Sequence, residues 1–223
     1  MVWNDIVQLS GAILLVVGAI LPIVNPLGDA SLFLRFTVGC DESTRRLLAR
    51  RIAVYSFALV FGSMLFGPAV LRLFDLSIPV IQVAGGAVVV ALGWNMLNDD
   101  GKAHDVKVDP GQASVAAMSQ AFYPLTMPLT VDPGAMSVAV TIGANHAHTL
   151  DGVAVQLLAA LIGSAIIALA VLFTYRYASA VARRIGHQGM LILVRLSAFI
   201  VMSIGVQIAW NGAKVQLQEV GVR

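Results

Sequence analysis

The sequence predicts an all-α membrane protein of six transmembrane helices, arranged as two inverted three-helix repeats whose first and fourth helices are interrupted. Three observations favour this fold class: an apolar composition, six apolar stretches of membrane-spanning length, and a proline-centred break opening each half. Of the 223 residues, 58% are hydrophobic and 12% are charged, and the mean hydropathy is +0.85. Soluble globular chains carry about 25% charged residues, so the composition predicts a chain that crosses a bilayer several times.

The apolar stretches cover residues 7–38, 52–74, 76–97, 115–143, 153–175 and 191–213. Each supplies the ~20 residues that a helix needs to cross a hydrocarbon core about 30 Å thick. The first stretch is long and has no Lys or Arg before it, which is atypical of a cleaved signal peptide. We therefore expect all six stretches to be retained as spans.

A polar stretch rich in turn residues, 99–113, is predicted to be a cytoplasmic linker between two repeats, residues 1–98 and 114–214. The third stretch of each repeat ends in a Trp-Asn pair, Trp94-Asn95 and Trp210-Asn211. Because three spans is an odd number, the second repeat must enter the membrane from the opposite side. The halves are therefore predicted to form an inverted repeat within one transmembrane domain.

Basic residues are concentrated on one side of the predicted spans. The first, third and fifth connections carry Arg35, Arg45, Arg46, Arg50, Arg51, Lys102, Lys107, Arg176, Arg183 and Arg184, and the other side carries Arg72, Lys214 and Arg223. The positive-inside rule then places these three connections in the cytoplasm and both termini outside. Membrane anchoring explains the dispersed charges, so no nucleic-acid partner is expected.

The break in each half predicts a substrate site. Proline removes a backbone N–H and glycine admits non-helical dihedrals, and hydrocarbon tolerates such interruptions only where they line a cavity or are covered by protein. The candidate substrate-binding residues are Asn25, Pro26, Leu27, Gly28, Asp29, Thr130, Asp132, Pro133 and Gly134. Half-helices starting at Asp29 and Gly134 would direct their positive ends at a small anionic or zwitterionic group.

Asp29 and Asp132 are costly at membrane depth unless they are paired, protonated or hydrated. One interpretation makes them binding groups for a coupling proton or sodium ion, or for a substrate ammonium. The other makes them helix N-caps, and the sequence leaves both open. Arg195 lies inside the last apolar stretch and either extends to the interface or serves as a charge partner of these carboxylates.

The remaining reactive residue types suggest no catalytic, metal or cofactor site. Cys40 is the single cysteine, expected to be an unreactive surface thiol, and His146 and His148 fit a solvated loop better than a metal site. The sequence contains no nucleotide-binding, nucleophile-elbow or zinc-protease motif. The chain is therefore not expected to be an enzyme.

The first break, Leu21-Pro22-Ile23-Val24-Asn25-Pro26-Leu27-Gly28, and the stretch from Pro124 to Gly134 together resemble the MarC/SnatA family of multi-pass inner-membrane proteins. The resemblance covers essentially the whole chain. It implies an inverted-repeat fold, an inner-membrane location and ion-driven transport of small neutral amino acids such as glycine and alanine. Asp29, Ser31 and Asp132 depart from the usual family pattern, and added carboxylates bear on substrate charge and coupling ion.

The leading hypothesis is a secondary active transporter of small neutral amino acids or similar metabolites, coupled to a proton or sodium gradient. The alternatives are a non-transporting scaffold or regulatory protein and a passive small-solute channel. The expected partners are a small-molecule substrate, a proton or sodium ion and the lipid bilayer, and assembly into a homo-oligomer is left open.

Overall fold

The computed structural model describes residues 2–98, 110–144, 150–219 and 221. Within these ranges the chain is helical and contains no strand, which confirms the all-α prediction. The helices are α1 (Val2–Val24), α2 (Pro26–Phe36), α3 (Glu42–Leu73), α4 (Ile78–Asn98), α5 (Pro110–Ser119), α6 (Pro133–Ala144) and α7 (Leu150–Glu219), with a π-helical turn at Leu125–Thr130. The predicted linker overlaps α5, and its residues 99–109 lie outside the described ranges.

In the part of the chain that the structure describes, five helical segments are long and apolar enough, by length and composition, to cross a membrane: Ile6–Leu34, Glu42–Leu73, Ile78–Asn98, Gly152–Gly186 and Val194–Gln218. Helix α6 is a shorter apolar helix. A multi-pass helical membrane protein is therefore confirmed. The stretch predicted as the fourth span is divided between α5, the π-helical turn and α6.

The first break is confined to one residue. Asn25 has a positive φ of 42°, a conformation that Asn adopts more readily than most residues, and α2 begins at Pro26 rather than at the predicted Asp29. The Asn25 amide still donates to the Leu21 carbonyl at 3.0 Å, and the Asn25 carbonyl accepts from the Asp29 amide at 3.2 Å. Helical bonding thus continues past Pro26, with fewer open peptide groups than the sequence predicted.

The second break is much wider. Met127 (φ −119°, ψ 122°) and Val131 (φ −118°, ψ 96°) have extended backbones. Helix α6 then starts at Pro133, one residue before the predicted start at Gly134. Pro124, Pro128 and Pro133 fall close together here, and each lacks the N–H that a continuous α-helix would need.

Helix α7 supplies two spans from one long helix of 70 residues. Gly186 separates them with φ 74° and ψ 172°, a region of dihedral space that is essentially restricted to glycine. The segment before Gly186 is called here the first arm and the segment after it the second arm. Helices α1, α2, α3 and α4 all pack against α7, which makes α7 the centre of the bundle.

The connection between α2 and α3 is tied down by polar contacts. Asp41 caps α3 by accepting from the Thr44 amide at 3.2 Å, and hydrogen bonds from Ser43 and Thr44 lower its pKa to about 2. Cys40 is buried, with 7% exposed, so its predicted surface position is wrong. Burial raises the pKa of the Cys40 thiol, which keeps it protonated and poorly nucleophilic.

Candidate functional site

A cavity of about 140 Å³ lies where the two breaks meet α4 and the second arm of α7. Three polar residues line it: Asn25, Asp29 and Asp132. The rest of its wall is apolar and comprises Ile23, Leu32, Phe36, Leu92, Met96, Pro124, Pro128, Leu129 and Val201. A dry cavity of similar volume holds benzene in another protein, so this cavity suits a ligand of about six non-hydrogen atoms.

Equivalent N-caps open the half-helices at the two breaks. Asn25 Oδ1 accepts from the Gly28 amide at 3.3 Å, and Asp132 Oδ1 accepts from the Ala135 amide at 2.6 Å. In both cases proline follows the cap as the first helical residue, where its missing N–H costs nothing. Asp132 therefore corresponds to Asn25.

Asp29 is not a helix cap, because it lies in the first turn of α2 beyond the amide that Asn25 caps. Its side chain is 5% exposed and reaches the cavity wall. Within the described residues, nothing donates a hydrogen bond to its carboxylate. Asp132 lies close enough for its charge to act on Asp29, so the cavity holds two neighbouring carboxylates.

The two polar atoms of the Asn25 side-chain amide have different surroundings. Its Oδ1 serves the cap, while its Nδ2 is buried and has no hydrogen-bond partner in the described part of the chain. An unpaired buried donor costs about 1–3 kcal/mol, a cost that a hydrogen-bond acceptor on a ligand in the cavity would remove.

Thr130 supports the second break and is absent from the cavity wall described above. Its Oγ1 donates to the Leu125 carbonyl at 2.7 Å, which leaves Tyr175 Oη as the donor in the 2.8 Å bond between Tyr175 and Thr130. The Tyr175 ring stacks on Phe33 of α2, with ring centroids 4.7 Å apart. This contact chain joins α2, the first arm of α7 and the second break.

The other predicted site residues shape the backbone around the cavity. Pro26 and Gly28 are buried, and a Cβ on Gly28 would clash with Asn25 and approach Ser197 Cβ to 2.8 Å. Leu27 is 57% exposed. Pro133 is half-buried and Gly134 is buried against Val89.

Arg195 lies on the second arm of α7 with an exposed side chain. Exposure agrees with the interfacial interpretation, and pairing with Asp29 or Asp132 stays a prediction. His146 and His148 lie outside the described residues.

Sequence reasoning missed three residues of the cavity wall, Leu92, Met96 and Val201. It also missed Tyr175, which supports the second break through its hydrogen bond with Thr130. Apolar residues inside apolar spans give no signal that distinguishes a cavity wall from ordinary packing. Tyr175 did carry a signal, because a hydroxyl within a span needs a partner.

Together these features define a class: a polytopic α-helical membrane protein in which two broken segments enclose a small acidic cavity. The chain belongs to the MarC family, because the family model described as "MarC family integral membrane protein" matches residues 10–217.

Relatives match along most of their own length. The "UPF0056 membrane protein YvbG" of Bacillus subtilis (strain 168) is 28% identical over 191 residues, covering 85% of this chain and 88% of the relative. The "UPF0056 inner membrane protein MarC" of Citrobacter koseri is 29% identical over 201 residues, covering 86% and 90%. The protein of that name from Salmonella typhimurium gives the same identity and coverage. No solved structure shows significant similarity.

Proposed function

We propose that the protein is a secondary active transporter of small metabolites, of the size of glycine and alanine, coupled to a proton or sodium gradient. The observation that carries the proposal is the acidic cavity between the two breaks, with Asp29 in its wall and no hydrogen-bond donor to its carboxylate among the described residues. A buried carboxylate without a partner is expensive in a membrane protein. A structural scaffold gains nothing from that cost, whereas a binding site recovers it when cation or substrate arrives.

The packing of α4 against the second arm of α7 supports an inverted repeat. A Cβ on Gly86 would meet Ala209 N and Gly205 O, and a Cβ on Gly205 would meet Val90 N and Gly86 O. Each glycine thus faces the same backbone atoms, at the same sequence offsets, on the other helix. Such reciprocity is what a two-fold axis between the helices produces.

A second pair of glycines repeats the relation. Gly93 approaches Met202 N and Ala198 O, and Gly212 approaches Val83 N and Pro79 O. The offset along the chain that relates Gly86 to Gly205 also relates Gly93 to Gly212. We therefore assign α4 and the second arm as equivalent third helices of the two halves, in accord with the equivalent caps at Asn25 and Asp132.

The divided fourth segment has the length of one span. Helix α5 has 10 residues and α6 has 12, so they are about 15 Å and 18 Å long at 1.5 Å per residue. Each covers about half of a hydrocarbon core, and together they match its thickness of about 30 Å. In this proposal the fourth span crosses the membrane as two half-helices joined at the cavity.

The inner membrane is the proposed location, because the relatives from Citrobacter and Salmonella are named inner membrane proteins. Both termini lie outside in this arrangement.

Gradient-driven flux tests the proposal directly. The purified protein is reconstituted in liposomes, and uptake of radiolabelled glycine, alanine and a panel of small amines is measured with an inward proton or sodium gradient. We expect saturable uptake that disappears when an ionophore collapses the gradient. The Asp29→Asn/Asp132→Asn variant should lose this uptake. The matched control is Asp75→Asn, which changes an exposed carboxylate with φ 53° that Asn accommodates.

Each alternative gives a distinct result in the same assay. Flux that neither saturates nor accumulates substrate against its gradient would identify a passive channel. Absence of flux across the whole panel would favour a scaffold and contradict the proposal.

A further inference from the structure

The two half-helix N-termini that meet at the cavity have already filled their capping positions. The Gly28 amide donates to Asn25 Oδ1 and the Ala135 amide donates to Asp132 Oδ1. A helix N-terminus attracts a ligand carboxylate mainly through such free amides. The anionic group expected from the sequence would therefore compete with the protein's own caps for these two amides.

The charged groups in the cavity wall are acidic. Asp29 and Asp132 line it, and none of the lining residues that the structure describes is basic. The rest of the described wall is hydrocarbon apart from Asn25, so among the described residues the carboxylates set the electrostatic field, in surroundings of low polarity. Such a cavity favours positive charge.

Asn25 contributes one uncharged hydrogen-bond donor to the cavity wall. Its Nδ2 is buried beside the cavity and has no partner among the residues that the structure describes, and a ligand oxygen or nitrogen acceptor would complete its bonding. The volume of about 140 Å³ limits the ligand to a few non-hydrogen atoms. The wall thus specifies a small molecule with a cationic group at one end and a hydrogen-bond acceptor within reach of Asn25.

We propose that the cavity selects small primary ammonium cations that carry one uncharged hydrogen-bond acceptor, such as amino alcohols and amino amides, over zwitterionic amino acids. Asp29 binds the ammonium group, Asp132 completes the acidic wall while capping α6, and Asn25 Nδ2 donates to the acceptor. As a statement about cargo this rests on the proposed transport function.

Charge balance gives the physical reason for the preference. Two carboxylates are neutralised by one ligand ammonium group and one coupling cation. A zwitterion brings a third carboxylate and leaves one negative charge uncompensated in a largely apolar cavity, which is strongly unfavourable.

Binding to the intact protein tests the preference without requiring transport. The full chain in lipid nanodiscs is titrated by calorimetry with glycinamide, ethanolamine, glycine and acetamide at constant sodium concentration. The pH is kept near 6, below the range of about 7.7–8.0 in which an α-amino group titrates, so every amine in the panel is protonated. We expect glycinamide and ethanolamine to bind at least about tenfold more tightly than glycine, and acetamide to show no binding.

Two variants test how much each carboxylate contributes to ligand binding. Charged hydrogen bonds contribute about 1.5–3 kcal/mol, so Asp29→Asn should weaken glycinamide binding about 10- to 100-fold and reduce its advantage over glycine. Asp132→Asn keeps the cap and should weaken glycinamide binding by a smaller factor. Asp75→Asn, at an exposed carboxylate, should bind like the native chain, and size-exclusion profiles verify that each variant is folded.

The possible outcomes separate this inference from the transport proposal. Glycine binding as tightly as glycinamide, or no binding by any member of the panel, overturns the cation preference whatever the flux assay shows. Tight binding of the cations without gradient-driven flux overturns transport and keeps the binding site. Unchanged glycinamide affinity in both Asp→Asn variants would also overturn the assignment.

Discussion

Asp132 has two roles at the level of the single residue. Its Oδ1 accepts the Ala135 amide hydrogen at 2.6 Å, and its side chain also forms part of the cavity wall. Asn25 caps the other half-helix with an uncharged amide. The comparison separates capping, which either residue type can perform, from charge, which only the carboxylate provides.

Replacing Asp132 should separate these roles in stability as well as in binding. Asp132→Ala removes the cap and should lower the free energy of unfolding by about 1–2 kcal/mol, whereas Asp132→Asn should change it by well under about 1 kcal/mol because both residues cap well. Unfolding of the purified protein in mixed detergent with increasing SDS measures the difference. Equal losses in the two variants would show that the charge of Asp132, rather than its cap, stabilises the fold.

The sequence located the polar residues of the site and left their roles undecided. Asp29, Asp132 and Asn25 stand out because polar groups are rare in apolar spans. Whether each aspartate caps a helix depends on where that helix begins. Helix α2 begins at Pro26, three residues before the predicted start at Asp29, so Asn25 rather than Asp29 is its cap. A sequence pattern alone does not locate a helix start that closely.

At the level of helices, α4 and the second arm of α7 meet in a close, glycine-lined interface. Added Cβ atoms on Gly86, Gly93, Gly205 or Gly212 would each come within 3.0 Å of backbone atoms of the facing helix. Small residues permit this close approach. The van der Waals contact that results drives the association of helices in lipid, where the hydrophobic effect between them is missing.

A methyl group in this interface should therefore be destabilising. Gly205→Ala places a Cβ 2.7 Å from Val90 N and 2.9 Å from Gly86 O, and overpacking of this kind costs about 1–3 kcal/mol. Gly18→Ala is the matched control, since nothing lies within 4 Å of its added Cβ. The control should be neutral or gain up to about 1 kcal/mol from higher helix propensity.

Thermal unfolding of the two variants beside the native protein distinguishes the effects. A stable Gly205→Ala variant would mean that α4 and the second arm can separate at little cost.

The sequence predicted where the helices break and missed how differently the two breaks are built. A proline ring within each break is visible in the sequence. The narrow first break depends on Asn25 adopting φ 42° while keeping its backbone hydrogen bonds to Leu21 and Asp29, which the residue types alone do not predict. The wide second break depends in part on Thr130 and Tyr175, residues that are 45 positions apart and bonded to each other.

For the molecule as a whole, the number of membrane crossings is set by α5 and α6. If they cross together as one divided span, the chain has six crossings and its ends lie on the same side. If they enter and return on one side, only the five long spans cross and the ends lie on opposite sides.

Cysteine labelling distinguishes these arrangements. In a Cys40→Ser background, Ser43→Cys and Gln218→Cys place single thiols at exposed positions, at the start of α3 and at the end of α7. We expect an impermeant maleimide added outside intact cells to label position 218 and not position 43. Permeabilised cells, in which both positions should react, provide the control. Protection of position 218 together with position 43 would indicate five crossings.

The equivalence of Asn25 and Asp132 has a consequence for the transport cycle proposed above. The same correspondence pairs Asp29 of the first half with Met136 of the second, so a carboxyl group in one half has a thioether as its counterpart in the other. In an exact inverted repeat, a two-fold rotation would relate the outward-open and inward-open forms, and the two forms would have equal free energy. Because Asp29 corresponds to Met136 and Asp132 corresponds to the uncharged Asn25, the two forms would differ in free energy, and the proposed cycle would have a preferred resting orientation.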